Sequence, residues 1–92
     1  MNKIDNMQFY MQKLAQYNFR VTIPRIQVLK ILFESNTALT AHEIGYISHK
    51  SGQYLSQGTI YNTLSVFKKC GLVSYTKFEN DKALYSTPFS KN

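Results

Sequence analysis

The sequence predicts a mainly α domain with a small β-hairpin, a winged helix-turn-helix with four helices and then a two-stranded antiparallel wing. Three observations predict it. Residues Thr22, Thr40 and Ser56 each stand directly before a run of apolar residues at helical spacing, which is where helix N-caps belong. The apolar period then changes after Gly71, where Leu72-Val73-Ser74-Tyr75-Thr76-Lys77-Phe78 is rich in β-branched and aromatic residues. The chain has 92 residues, the size of one small domain with one core.

The first helix is expected near residues 3–17, with an apolar stripe of Ile4, Met7, Tyr10, Met11, Leu14 and Tyr17, and Asn18 ending it. The second is expected near 23–35. Thr22 is its N-cap, Pro24 lies in the first turn where a missing N–H costs nothing, and Ile26, Leu29, Ile31, Leu32 and Phe33 supply the buried side. Ser35-Asn36-Thr37 reads as a turn. Thr40-Ala41-His42-Glu43 matches the S/T-x-x-E capping box and opens a third helix near 41–50, with Ile44 and Ile47 inward. Ser56 caps a fourth helix near 57–70, with Ile60, Leu64 and Phe67 buried and Gly71 as its stop. Strands are expected near 72–78 and 83–87, joined by the turn Glu79-Asn80-Asp81-Lys82. Residues 1–92 thus read as a single winged-helix unit, with a recognition helix at about 57–70 and a wing at about 72–87.

Composition limits the function. Eleven Lys and Arg against five Asp and Glu give a net charge of +6, which draws a small domain to polyanions, nucleic acid first. No aliphatic–aromatic run is longer than Ile31-Leu32-Phe33, so no segment spans a membrane, and the N-terminus has no signal-peptide apolar region. One cysteine, Cys70, excludes an intrachain disulfide and a multi-cysteine zinc site and suits a reducing cytoplasm. No phosphate-loop, dinucleotide, zincin or nucleophile-elbow signature occurs, and the chain is not expected to be an enzyme.

With Ile60, Leu64 and Phe67 inward at about 100° per residue, the opposite face of the fourth helix carries Gly58, Tyr61, Asn62, Ser65 and Lys69. Gln57 and Thr59 flank it, and no acidic residue occurs from Ser56 to Lys69. Asn and Gln pair with adenine in the major groove, and Tyr and Ser reach phosphate or a base. Each residue alone also fits a solvated surface helix; the set, with its cap, the basic balance and the hairpin behind it, reads as DNA-facing. On the wing, Lys77 and Lys82 fit a phosphate clamp, or edge lysines that prevent aggregation. Glu79 and Asp81 weaken the positive field there, so deep wing insertion is not expected. The candidate DNA-contacting set is Arg20, Thr22, Arg25, Ser56, Gln57, Thr59, Tyr61, Asn62, Ser65, Lys69, Lys77 and Lys82. The competing reading is a protein-interaction module with an incidental basic surface, which needs an exposed apolar patch on the fourth or the first helix.

His42 and His49 lie seven apart on one helix, about 10 Å along its axis. With no thiol or carboxylate converging on them they read as surface or capping residues, and no metal or other cofactor is expected. Cys70 is expected to be partly buried.

The sequence resembles the N-terminal DNA-binding domain of the ferric uptake regulator family. The elements that carry the resemblance are Arg20-Val21-Thr22-Ile23-Pro24-Arg25, Val28-Leu29-Lys30-Ile31-Leu32, Leu39-Thr40-Ala41-His42-Glu43-Ile44, and Ser56-Gln57-Gly58-Thr59-Ile60-Tyr61-Asn62-Thr63-Leu64 on through Phe67 to Gly71-Leu72-Val73. The Tyr61-Asn62 pair is similar to the peroxide-sensing branch. The resemblance implies a transcriptional regulator, usually a repressor, acting as a dimer on an inverted repeat of double-stranded DNA. It also implies metal sensing through a C-terminal dimerisation domain, entered by a histidine-rich hinge. This chain stops at Ser86-Thr87-Pro88-Phe89-Ser90-Lys91-Asn92, where that hinge would begin. It has Ile26 where the peroxide-sensing branch has histidine, and no carboxylate in Leu84-Tyr85-Ser86. A naturally short protein and a piece of a longer one both fit; Met1 at the start leans towards the first. A homodimer is expected through the first helix, where Ile4, Met7, Phe9, Tyr10, Met11, Leu14 and Tyr17 offer more apolar surface than one intramolecular contact needs.

Overall fold

A computed structural model of the chain describes residues 3–77 and 82–88. It contains four helices, α1 (Lys3–Gln16), α2 (Ile23–Glu34), α3 (Ala41–Lys50) and α4 (Gln57–Cys70), followed by β1 (Ser74–Lys77) and β2 (Ala83–Ser86). The two strands pair antiparallel, with Ser74 opposite Ser86 and Tyr75 opposite Tyr85. This is the winged-helix arrangement that the capping signals and the change of period predict.

The caps form where the sequence places them. Thr22 Oγ1 accepts the Arg25 N–H at 3.4 Å, with Pro24 in the first turn of α2. Thr40 Oγ1 accepts the Glu43 N–H at 3.0 Å, and Glu43 Oε1 accepts the Thr40 N–H at 2.9 Å, completing the capping box of α3. Ser56 Oγ accepts the Thr59 N–H at 3.2 Å at the start of α4. Each bond satisfies a backbone donor that the first turn leaves without a partner. At the far end of α4, Gly71 takes a left-handed φ of 84°, which a side chain would strain. Asn18 does the same after α1 with φ of 65°.

Burial follows most of the predicted stripes, but Met7 and Met11 of the α1 stripe are exposed, because α1 packs through the side that carries Tyr10 and Leu14. Tyr10 and Leu14 of α1, Ile26, Leu29 and Leu32 of α2, Ile44 of α3, and Ile60, Leu64 and Phe67 of α4 form the core. Val28, absent from the predicted stripe of α2, is fully buried, while Ile31, Phe33 and Ile47 are half-buried at the rim. Helix α2 packs on α1, α3 and α4 at once, so more than one of its faces is covered and no single stripe describes it. Phe33 makes its contacts at that rim, with ring centroids 4.8 Å from Phe9 and 5.7 Å from Tyr10.

The hairpin is shorter than expected. Leu72 and Val73 are buried at 0% and 4% exposure, and β1 begins only at Ser74. The Leu72 N–H returns to the Phe67 carbonyl at 2.9 Å, so the chain folds back under α4 and uses both side chains as core before it extends. β2 ends at Ser86 rather than at 87; Phe78 and the predicted turn residues 79–81 lie outside the described residues. A contact the sequence did not announce anchors the hairpin: Leu39 and Tyr85 exchange both backbone hydrogen bonds, at 2.9 and 2.7 Å, joining the segment before α3 to β2.

Between α3 and α4, Ser48 is buried and holds the connector. Its hydroxyl donates to the Gly45 carbonyl at 2.9 Å and accepts the Leu55 N–H at 3.3 Å. Among the described residues no buried side-chain nitrogen or oxygen lacks a partner, as a stable small core requires. No helix among them is long and apolar enough to cross a membrane.

Tyr10 is 1% exposed and its hydroxyl donates to Glu34 Oε2 at 3.4 Å. Burial first, then the charge of Glu34 and their hydrogen bond, push the phenol well above its ordinary value. The folded state therefore holds this proton more tightly than the unfolded chain. Stability contributed here is complete below about pH 10, where unfolded tyrosine begins to ionise, and is lost as pH rises further. Tyr10→Phe is expected to melt close to wild type at neutral pH and to move the alkaline unfolding midpoint upward, as followed by circular dichroism.

Candidate nucleic-acid interface

Helix α4 divides cleanly. Ile60, Thr63, Leu64 and Phe67 are buried, and Gly58, Tyr61, Asn62, Ser65 and Lys69 are exposed on the other side. Tyr61 is 55% exposed. No acidic residue lies on this helix, and its N-terminal end adds a partial positive charge.

The flanking residues are more engaged than their sequence positions suggest. Ser56 accepts the Thr59 N–H, and its hydroxyl donates to Thr59 Oγ1 at 3.0 Å, so both belong to the cap. Gln57 turns towards α3: its Nε2 donates to the Ala41 carbonyl at 3.4 Å and rests against Gly45, where an added Cβ would collide with it. Glycine at 45 lets α3 and α4 approach with the Gln57 amide between them.

Arg20, Thr22 and Arg25 form a second group at the start of α2. Arg25 Nη1 donates to the Arg20 carbonyl at 3.1 Å, and the guanidinium carbon lies 5.2 Å from the centroid of the Phe19 ring. Phe19 in turn packs on Phe67, with ring centroids 5.3 Å apart. The cation is thereby held on an aromatic face, which links it to the buried side of α4.

The hairpin supplies the third group. Lys82 is exposed and lines a groove of about 620 Å³ with Tyr61, Tyr85 and the start of α3, including His42 and Glu43. Lys77 closes β1; its side chain lies outside the described residues. Lys68, outside the candidate set, has its Nζ 3.9 Å from the centroid of Tyr75. Tyr75 packs beside Tyr85 at 5.6 Å. Burial, and then proximity to Tyr75 and Tyr61, raise the Tyr85 phenol above its ordinary value. Lys68 on Tyr75, with Tyr75 on Tyr85, thus ties α4 to the hairpin. The only signal for this in the sequence is the hairpin register, which a turn of uncertain length does not define.

A profile of the ferric uptake regulator family matches residues 16–91. The chain belongs to the ferric uptake regulator family. Members of this family are transcription regulators and not enzymes. The chain is 35% identical over 75 residues to the ferric uptake regulation protein of Legionella pneumophila, covering 80% of this chain and 55% of that protein. It is 40% identical over 60 residues to the peroxide-responsive repressor PerR of Staphylococcus aureus, covering 65% and 40%. Among solved structures, the ferric uptake regulator of Pseudomonas aeruginosa with manganese aligns with a TM-score of 0.82 at 23% identity, over 88% of this chain and 61% of that one. That of Vibrio cholerae aligns at 0.79 and 23% identity, over 88% and 63%. At that identity the structural likeness establishes the fold. This ferric uptake regulator family chain spans about half the length of the curated relatives it matches.

A family of this name implies a metal, and the described residues do not fit one. His42 and His49 are both exposed on α3, with His49 edge-on to Tyr54 at 5.5 Å between ring centroids. Ile26, at the position where the peroxide-sensing branch has histidine, is a core residue. Among the described residues no three His, Cys, Asp or Glu side chains come together as a ligand set. Cys70 corrects the expectation of partial burial: it is exposed, with its thiol 3.5 Å from the Phe67 carbonyl. Gly71 turns the chain there, and Leu72 takes the inward place beyond Phe67. Addition of EDTA is expected to leave the melting temperature of this chain unchanged. Destabilisation by EDTA that one equivalent of a divalent ion reverses would show a ligand set that these residues do not display.

Proposed function

We propose that this chain is a sequence-specific, double-stranded DNA-binding regulator, acting as a repressor in the bacterial cytoplasm, with residues 1–92 working as one winged-helix unit. The observation that carries the reading is the outward face of α4, which is polar, exposed and free of acid while its other face is locked into the core. In a helix-turn-helix the N-terminal part of the second helix meets base edges in the major groove. Asn62 and Tyr61 are the base-reading residues on this account, with Gln57 and Ser65 beside them. Arg20, Arg25, Lys69, Lys77 and Lys82 contact phosphates, and Thr22, Ser56 and Thr59 hold the two helix N-termini where backbone N–H groups face an anion.

The target is an inverted repeat, since one module reads one half-site and two copies supply the specificity. Self-association through α1 is supported by Met7 and Met11, which are 45% and 40% exposed one helical turn apart, beside half-buried Phe9.

Titration against a duplex from the protein's own upstream region and against a random duplex, each over a salt series, tests the reading. Affinity for both is expected to fall steeply with salt through counterion release. Tyr61→Ala and Asn62→Ala are expected to weaken specific binding by about 1–3 kcal/mol each and random binding by less. Lys82→Ala is expected to weaken both equally. An unchanged sequence preference in Asn62→Ala would remove Asn62 from the base-reading set. Sedimentation equilibrium at about 100 μM, where even a weak micromolar dimer is populated, is expected to show a dimer mass that Met7→Lys lowers; a monomer there rejects association in free solution.

A further inference from the structure

Two large side chains are explained neither by the core nor by the outward face of α4. Tyr46 on α3 is 62% exposed and Tyr54 in the connector is 70% exposed. Each carries a basic or imidazole neighbour. Lys50 Nζ lies 5.7 Å from the Tyr46 ring centroid, and His49 meets Tyr54 edge-on. Tyr46, His49 and Tyr54, with His42 and Gln57, line a shallow groove of about 250 Å³ along α3 and the α3–α4 connector, and Lys50 stands beside it over the Tyr46 ring.

This groove is continuous with the face described above. His42 lines both it and the groove that holds Tyr61 and Lys82, and Gln57 is the first residue of α4. The combined strip runs from the hairpin, past Tyr61 and across the start of α3, to the connector. Among the described residues its cations outnumber its acid. Lys82 lines it and Lys50 stands beside it over Tyr46, and the acid that lines it among the described residues, Glu43, accepts the Thr40 N–H in the capping box. The strip therefore presents donors to an anion: the ammonium groups of Lys50 and Lys82, imidazole N–H groups and the phenol hydroxyls of Tyr46, Tyr54 and Tyr61. When the second helix of a helix-turn-helix enters the major groove, the first crosses the sugar–phosphate backbone. Tyrosine and lysine are among the side chains that bond phosphate oxygens there.

We infer that α3 and the α3–α4 connector form a sugar–phosphate contact strip, in which Tyr46, His49, Lys50 and Tyr54 grip the backbone of the same duplex whose bases α4 reads. The inference rests on the DNA-binding reading above and extends it to a surface that carries affinity without sequence information.

The test uses the full chain, the two duplexes and the salt series already named. Lys50→Gln is expected to lower the slope of log affinity against log salt by about 0.9 on both duplexes, the loss of one phosphate contact. The double variant Tyr46→Phe with Tyr54→Phe keeps both rings and removes both hydroxyls. It is expected to weaken both duplexes by the same factor, roughly tenfold, with the preference between them unchanged. All three side chains are exposed, so wild-type melting is expected; if the double variant melts early, the Lys50→Gln slope decides alone. Wild-type slope in Lys50→Gln and wild-type affinity in the double variant, with Asn62→Ala still losing preference, would overturn the strip and leave the reading of α4 standing. A wild-type chain that binds neither duplex would remove both. Intact DNA binding with a lowered sedimentation mass in the double variant would assign this surface to a second copy of the chain and overturn the inference.

Discussion

The burial of one side of α4 is the constraint on which the rest of the molecule depends. Ile60, Leu64 and Phe67 are almost wholly removed from water, each contributing about 1.5–3 kcal/mol from burial of its apolar surface. Rotating the helix about its axis would expose these three before it buried anything comparable, because the opposite face is Gly58, Tyr61, Asn62, Ser65 and Lys69. The same interaction that stabilises the fold thus orients the polar face outward. Phe67 extends the effect, since Phe19 packs on it and Arg25 rests on Phe19.

The polar contacts refine what burial determines. Ser48 bonds the connector to α3, Gln57 bridges to the Ala41 carbonyl, and Ser56 closes the first turn of α4. Together they determine where α4 begins and how near it lies to α3. At the other end, Lys68 on Tyr75, the Tyr75–Tyr85 pair and the Leu39–Tyr85 backbone bonds hold the hairpin against the helices. A two-stranded hairpin is marginal by itself in water. Here it is completed by Leu39 along one edge and by Tyr85, whose side chain joins the core.

Charge and core divide the work between them. The net charge of +6 contributes long-range attraction to a polyanion and does nothing to define the fold. The arrangement of that charge carries the information: acid is absent from α4, and Glu43 is engaged by a cap. Metal chemistry has no comparable arrangement in the described residues, where a core isoleucine and dispersed histidines occupy the positions of interest. The family match runs over residues 16–91, from the end of α1 through the hairpin.

Much of this was legible in the residues themselves. Caps are local, so Thr22, Thr40, Ser56 and Gly71 placed the helix ends within a residue or so, and the stripe of α4 is a strict helical repeat with one buried face. The outward set on α4 could be read for the same reason. Only the tertiary structure decided what depends on contacts between distant segments. Helix α2 is covered on several sides, so its burial does not follow one period and Val28 is buried off the predicted stripe. Leu72 and Val73 have strand composition, and the need to fill space beneath α4 makes them core instead. The Tyr75–Tyr85 register, the Leu39 bridge, the turn of Gln57 towards Gly45 and the pairing of Tyr54 with His49 all join residues whose proximity no local propensity encodes. The sequence by itself determined which helices form and which face of α4 meets solvent, because caps and periodicity act over one or two turns. Packing decided what surrounds that face, because each neighbour arrives from another part of the chain.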